Sequence, residues 1–288
     1  MTHSILAILL SLGIFVNGAA LEPQTPQAEN EIREVRVAVI DTGLRADHPF
    51  FKDAKIEKGY NYIEENDNTN DLIGHGTQVC GMVYASAPRA VIVPFVYRSL
   101  DKEGRVIDGA EIAIGRAIRD AVDKFSCDVI NLSLGAPTDY RMVRDAVEYA
   151  ERMGAVIVSA VGNDNIILPD MVYYPAAYET VIGVGSVDNR GSVAAFSQRG
   201  KSVMFVSRGV NIYLPSISAR AGMERVSGTS YSCAWVAGVI AYKFELDGKA
   251  SPAEVREWLK SVAVDLGKPG YDEDYGWGYL DIELAPAA

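Results

Sequence analysis

The strongest constraint on this chain is an alternation. Short runs of Val, Ile and Ala recur at residues 37–40 (VAVI), 90–96 (AVIVPFV), 128–134 (DVINLSL), 155–161 (AVIVSAV) and 181–187 (VIGVGSV). Amphipathic stretches lie between several of them. Residues 108–125 carry Ile114, Ile118, Val122 and Phe125 at helical spacing. Residues 138–153 carry Val143, Ala146, Val147 and Ala150, and Gly154 stops the pattern. Strands that are apolar on both faces need cover on both, and intervening helices supply it. The alternation therefore predicts an α/β fold in three layers: a mostly parallel central sheet with helices on both faces. Two further helices follow. One begins at Ser230 and runs through Val236, Val239 and Ile240. The other opens on Ser251-Pro252-Ala253-Glu254, a capping box with proline at the first helical position, and carries Val255, Trp258 and Leu259. No internal repeat occurs and no linker follows residue 33, so residues 34–285 read as one domain.

Composition narrows the partners. The net charge of −11 argues against a nucleic-acid backbone. Three cysteines, Cys80, Cys127 and Cys233, are too few for a disulfide scaffold and show no Cys-x-x-Cys metal spacing. Residues 5–16 are an unbroken apolar and small run, too short to span a bilayer comfortably, and the small residues Asn17-Gly18-Ala19-Ala20 follow. Residues 1–20 thus read as a signal peptide, although the n-region lacks Lys and Arg. An uncleaved anchor and a buried N-terminal helix are the competing readings. The expected location is secreted or periplasmic, with no membrane contact after signal removal. Residues 21–33 (LEPQTPQAENEIR) are polar and proline-containing, and read as a flexible leader or minimal prosegment.

Chemistry-bearing residues sit at element ends. Asp41 closes the first apolar strand, where open α/β sheets place their sites. His75, flanked by Gly74 and Gly76, opens an apolar helix. Ser230 opens another, where a hydroxyl is exposed and the backbone N–H is one of the helix's unpaired donors. Asn163 follows Gly162 at a strand end. Each has a bland alternative: a turn-capping Asp, a structural His, an N-cap Ser. Together they supply what acyl transfer needs. A serine requires a base, an imidazole can be that base, a carboxylate orients the imidazole, and an uncharged amide donates to the oxyanion.

The motifs VAVIDTG around Asp41, GHGTQVCG around His75, SGTSYSCAWVAG around Ser230 and SAVGND around Asn163 resemble those of the subtilisin (subtilase, peptidase S8) family of serine proteases. The chain order Asp…His…Ser is that of subtilisin itself. INLSLG (130–135), YYPAAY, VIGVGSVD, AAFSQRG (194–200) and DYGWGYLDIELA (274–285) agree as well, so the resemblance covers about residues 34–285. It implies a sheet of about seven strands and endopeptide hydrolysis through an acyl-enzyme. Ser230 would be the nucleophile, His75 the general base and then acid, Asp41 its orienter, and Asn163 with the Ser230 N–H the oxyanion hole. The substrate would add as a strand between Gly104-Arg105-Val106-Ile107 and Leu132-Ser133-Leu134-Gly135, with Ala160, Val161 and Gly162 lining the same cleft. Residues 164–174, carrying Ile166, Ile167, Leu168 and Met171 beside Asp164 and Asp170, would wall the P1 pocket. That points to an apolar or broad P1 preference.

The departures from the family pattern cluster near the site. Gln78 stands where the family has histidine, Tyr231 where methionine is common, Cys233-Ala234-Trp235 in the segment after the serine, and Ser207-Arg208-Gly209 where Ala-Pro-Gly is usual. Tyr231 and Trp235 read either as repacking of a helix flank or as reshaping S1′. Cys80 and Cys233 lie on helices that the family packs side by side, which leaves a bridge between them open. No cofactor is required by this chemistry. Calcium is common in the family, and a structural calcium stays open, but the acidic loop near Asp67 and Asp71 lacks a recognisable ligand spacing. Family members that are secreted usually carry a folded propeptide of several tens of residues. Here about a dozen residues separate the expected cleavage site from the first strand. A monomer is expected. An acyl transferase on the same triad and a catalytically silent binding protein remain the alternative functions.

Overall fold

The computed structural model describes residues 33–218 and 222–280. The expected signal peptide and nearly all of the expected leader lie outside these residues, as do positions 281–285 of the expected domain. The described residues belong to one compact unit, Arg33–Ala288. Its elements in chain order are β1 (Arg36–Asp41), β2 (Lys55–Ile56), β3 (Tyr60–Asn61), α1 (His75–Ser86), β4 (Val91–Val96), β5 (Arg98–Leu100), β6 (Val106–Asp108), α2 (Ala110–Asp123) and β7 (Val129–Leu132). Then come α3 (Arg141–Arg152), β8 (Val156–Ala160), β9 (Ile182–Val187), β10 (Phe205–Arg208), β11 (Ile212–Pro215), β12 (Met223–Val226), α4 (Thr229–Asp247) and α5 (Pro252–Val262).

The main sheet runs β10-β9-β8-β7-β1-β4-β2, and β3 also pairs with β4. Every pairing in it is parallel. The expected α/β architecture is therefore found. Alternation along β1 explains why its sequence is apolar throughout. Val37 and Val39 pack with α1, α4 and α5 in one core layer. Ala38 and Ile40 pack with α2 and α3 in the other.

Strand order puts the site where it is. β1 has β4 on one side and β7 on the other, so the chain leaves β1 in one direction and later returns on its opposite edge. Loops part at such a switch point and leave a crevice outside the carboxyl ends of the strands. Asp41 ends β1 and Leu132 ends β7, so both border that crevice.

The two helical layers are built differently. α3 has a sharp apolar stripe, with Val143, Ala146, Val147 and Ala150 buried and its other faces polar. α4 is apolar almost all round and is buried for most of its length. It approaches α1 so closely that a Cβ on Gly238 would lie 1.8 Å from Ser86 Oγ. At α5 the expected capping box is present. Ser251 Oγ accepts from Glu254 N at 3.3 Å, and Glu254 Oε2 accepts from Ser251 N at 2.8 Å. Two antiparallel hairpins, β5–β6 and β11–β12, had no clear signal in the sequence.

Candidate active site

Asp41 is buried at the end of β1, only 2% exposed. Its Oδ1 accepts from Thr42 N at 2.8 Å. Both carboxylate oxygens also face His75 Nδ1, at 2.8 and 3.0 Å. Two acceptors at one ring nitrogen require that nitrogen to carry the proton, which leaves Nε2 as the acceptor. Burial pushes the imidazole pKa down, but the Asp41 charge and hydrogen bond, with Asp71 adding, outweigh it and hold it above the ordinary 6.5. The ring stays reachable, its side chain 34% exposed.

His75 reaches Asp41 because α1 starts against the end of β1. A Cβ on Gly76 would lie 2.2 Å from the Gly43 carbonyl oxygen, so only glycine allows the approach. Gly74, the N-cap, has no side chain to cap the helix. Asp71 does that work from the preceding loop. Its Oδ1 accepts from Thr42 Oγ1 (2.9 Å), Ile73 N (2.9 Å) and Gly74 N (2.7 Å). Its Oδ2 accepts from Thr77 N (2.8 Å) and Thr77 Oγ1 (2.7 Å). Thr42 Oγ1 in turn accepts from Gly76 N at 2.8 Å. A buried carboxylate with five donors thus ties the strand of Asp41 to the helix of His75. Most of residues 44–73 read as solvated loop, and Asp71 is the exception. Asp67 pairs with Lys58 at 3.0 Å. Both oxygens of Asp71 are taken by protein donors, which leaves this acid no free oxygen for a calcium ion. Among the described residues no cluster of three or more His, Cys, Asp or Glu side chains is suited to a metal.

Ser230 is the second residue of α4, and Gly228 is the N-cap, so the N-cap alternative for Ser230 falls. Its hydroxyl donates to the Ser133 carbonyl at 3.4 Å. Ser133 Oγ donates back to the Ser230 carbonyl at 2.8 Å and accepts from Asn131 Nδ2 at 2.9 Å. Asn131 Oδ1 accepts from Cys233 Sγ at 3.1 Å. The end of β7 therefore grips the start of α4 through a buried chain of side chains. Asn163 is fixed from the same helix: its Oδ1 accepts from Thr229 N (2.9 Å) and Thr229 Oγ1 (3.0 Å). With the oxygen committed, Nδ2 is the end that can donate to a ligand. Thr229 was not singled out from the sequence, because its partner lies 66 positions away.

A family model described as the subtilase family matches residues 33–278. The chain belongs to the subtilase family. That family is one of serine-type endopeptidases. Subtilisin DY of Bacillus licheniformis is 33% identical over 261 residues, a match covering 87% of this chain and 90% of the relative. Minor extracellular protease Epr of Bacillus subtilis is 31% identical over 268 residues, but there the match spans 87% of this chain and 38% of the relative. Among solved structures, a lanthipeptide protease superposes with a TM-score of 0.74 at 28% identity, covering 85% of this chain and 86% of the other. Fervidolysin from Fervidobacterium pennivorans, described as a keratinolytic enzyme related to subtilisin, gives 0.76 at 26% identity, covering 85% of this chain and 41% of the other.

Two of the departures from the subtilase pattern, Tyr231 and Gln78, are bonded to each other beside the imidazole. Tyr231 is buried, and its ring lies 5.9 Å from that of His75. Its hydroxyl donates to Gln78 Oε1 at 2.6 Å, and Gln78 Nε2 donates to Glu224 Oε1 at 2.5 Å. Tyr231, Gln78 and Glu224 thus join α4, α1 and the β11–β12 hairpin beside the imidazole. Burial, with the Asp41 and Glu224 charges adding, pushes the Tyr231 phenol up, so it stays protonated. Trp235 is half-buried against the core layer of α1 and α4. The bridge left open between Cys80 and Cys233 is not formed, and all three cysteines are free and buried. Cys233 points to Asn131 on the sheet instead. Burial pushes all three thiols up, which keeps them inert.

The expected substrate segments differ in character. Gly104 and Arg105 lie in the β5–β6 turn, where Arg105 pairs with Asp101, and Val106 on β6 is 62% exposed. Leu132, Ala160 and Val161 are buried, and Ser133 binds Ser230 as described. Leu134 and Gly135 border a hollow of about 160 Å³ that Ile114, Tyr140, Val143 and Tyr178 also line. Ile166 and Ile167 do not wall a pocket: they are 72% and 78% exposed. The residue of that segment that faces Gly135 and Gly162 is Tyr173.

Proposed function

We propose that this chain is a secreted serine endopeptidase that hydrolyses peptide bonds through an acyl-enzyme on Asp41, His75 and Ser230. The carrying observation is the two-oxygen contact of Asp41 with His75 Nδ1, which leaves Nε2 as the base. The Ser230 hydroxyl bond to Ser133 O, at 3.4 Å, is at the weak limit of hydrogen bonding, so little opposes its turning to His75. On attack, Ser230 Oγ bonds to the scissile carbonyl carbon and its proton passes to Nε2. The imidazolium that forms is stabilised by Asp41. The carbonyl oxygen becomes an oxyanion, and Asn163 Nδ2 and the Ser230 N–H donate to it, with the positive end of α4 behind them. His75 then returns the proton to the leaving amine. The amine leaves, and Ser230 Oγ carries the acyl group. Water then bonds to the acyl carbon as Nε2 takes its proton, the carbon–Oγ bond breaks, and Nε2 passes that proton to Oγ as the acid departs.

The substrate binds extended along residues 132–135, with residues 104–106 as the opposite border and 160–162 at the end nearest Asn163. Neither step calls on a cofactor, and the enzyme acts as a monomer. Secretion belongs to the same proposal. It is supported by the apolar run at residues 5–16 with small residues after it, and by an extracellular relative. Among the described residues no helix is long and apolar enough to cross a membrane. Cleavage then falls near residue 20, with residues 21–33 as the leader. Casein digestion tests the function. Wild-type protein releases peptides and Ser230→Ala does not. Equal release by both, or none from folded wild type, would refute it.

A further inference from the structure

One residue, Tyr173, faces both Gly135 and Gly162. Gly135 follows β7 and Gly162 follows β8, and these neighbouring strand ends diverge into loops. Ser133 holds Ser230 and Asn163 follows Gly162, so the space between the two glycines adjoins the reacting groups, and a side chain beside the scissile carbonyl would enter there. Tyr173 stands in that space. A Cβ on Gly162 would lie 2.7 Å from Tyr173 Cδ2 and 3.0 Å from Cε2. A Cβ on Gly135 would lie 3.3 Å from Tyr173 Cβ and 3.5 Å from Cδ1. Tyr173 therefore occupies the space that side chains on either glycine would need.

The ring is held in place. Its hydroxyl donates to Asp164 Oδ2, and that bond pushes the phenol up to about 12, so it remains a donor at neutral pH. The Tyr173 carbonyl accepts from Ala177 N at 3.0 Å. Its neighbour Tyr174 is zipped to Ala136 by two backbone bonds of 2.8 and 3.0 Å. Beneath the loop, Gln198 Nε2 donates to the Leu168 and Met171 carbonyls at 2.9 and 2.7 Å. Swinging the ring out would break the Asp164 bond and move a loop tied at both ends.

We propose that Tyr173 closes the cleft between Gly135 and Gly162 to all but small side chains, so that the enzyme cleaves after Gly, Ala or Ser. The inference rests on the endopeptidase function proposed above. An alanine methyl meets the face of the ring and gains apolar contact. A Phe, Leu or Lys side chain would have to occupy the volume the ring fills, and tightly packed interiors do not yield that volume cheaply.

The test is a series of peptides identical except at P1, assayed on the full chain beside Tyr173→Gly and Tyr173→Phe, with thermal melts as the check on folding. Wild type should favour Ala over Phe by about a hundredfold or more in kcat/KM. Tyr173→Gly should shrink that ratio by at least about tenfold through gains on Phe, and Tyr173→Phe, which keeps the ring, should retain it. A wild type that prefers Phe, Leu or Lys, or a Tyr173→Gly protein that folds and keeps the wild-type ranking, would overturn the inference. If Tyr173→Gly does not fold, the wild-type ranking alone decides. Fluorophosphonate labelling separates the two failures. A protein that labels but prefers large P1 residues refutes only the role of Tyr173, whereas one that neither labels nor cleaves refutes the function and this inference with it.

Discussion

Two neighbouring pairs of strand ends in this protein are organised for opposite purposes. At the ends of β1 and β7, Asp41, His75 and Ser230 are fixed by redundant bonds from buried groups: Asp71 with its five donors, and the Asn131–Ser133 chain beneath α4. Past the ends of β7 and β8, glycines keep the backbone bare, and Tyr173 is the side chain that faces both of them. The first arrangement makes geometry insensitive to the substrate. The second makes substrate choice sensitive to one residue. Catalytic precision is thus spread over many bonds, while selectivity is concentrated in one ring.

That contrast predicts effects of different kind and size. The largest belongs to Ser230→Ala or His75→Ala, each of which should lower kcat about 10⁶-fold for every peptide in a P1 series, a figure taken from subtilisin, with KM little changed. A loss that depended on P1 would break the contrast. Asp41→Asn should cost about 10⁴-fold in kcat, again by the subtilisin precedent. It should also move the acid limb of the pH–rate profile. His75 must be neutral to act as base, and its pKa is raised by Asp41, so the wild-type limb should lie above pH 6.5. Removing the carboxylate charge should shift that limb to lower pH. An unmoved limb would mean that Asp41 does not set the His75 titration.

Asn163→Ala should lower kcat about 10²–10³-fold at nearly constant KM. A pure KM effect would remove Asn163 from the oxyanion hole. Thr229→Val keeps the backbone N–H bond to Asn163 and deletes only the hydroxyl bond. It should cost about fivefold in kcat, the worth of one ordinary hydrogen bond. Asp71→Ala sharpens the contrast from the side of stability. It strands buried donors of Thr42, Ile73, Gly74 and Thr77, and should destabilise the fold by about 2–4 kcal/mol, read as a lower denaturant midpoint. The smallest effect is null: intact mass should be the same with and without reductant, because Cys80 and Cys233 are not bridged.

The sequence exposed one side of this contrast and hid the other. Asp41, His75, Asn163 and Ser230 were legible because each sits where a hydrophobic pattern stops, at a strand end or a helix start. α2 and α3 were legible from their apolar stripes, and α5 from its capping box. Asp71 was lost among neighbouring acids, since nothing local distinguishes a buried carboxylate from a solvated one. The Tyr231–Gln78–Glu224 link joins positions up to 153 apart, and Tyr173 matters only because two distant glycines leave room for it. Ile166 and Ile167 were misleading for the converse reason. Apolar character suggested a pocket wall, but their loop turns them to solvent. What a residue borders is set by long-range packing, which local periodicity does not encode.

The nucleophile is tested most directly by reaction of the folded protein with a fluorophosphonate probe, followed by intact mass and mapping of the modified peptide. Wild type should carry a single adduct on Ser230, and Ser230→Ala none. An adduct that survives the substitution, or folded wild-type protein that takes up no probe, would contradict Ser230 as the nucleophile.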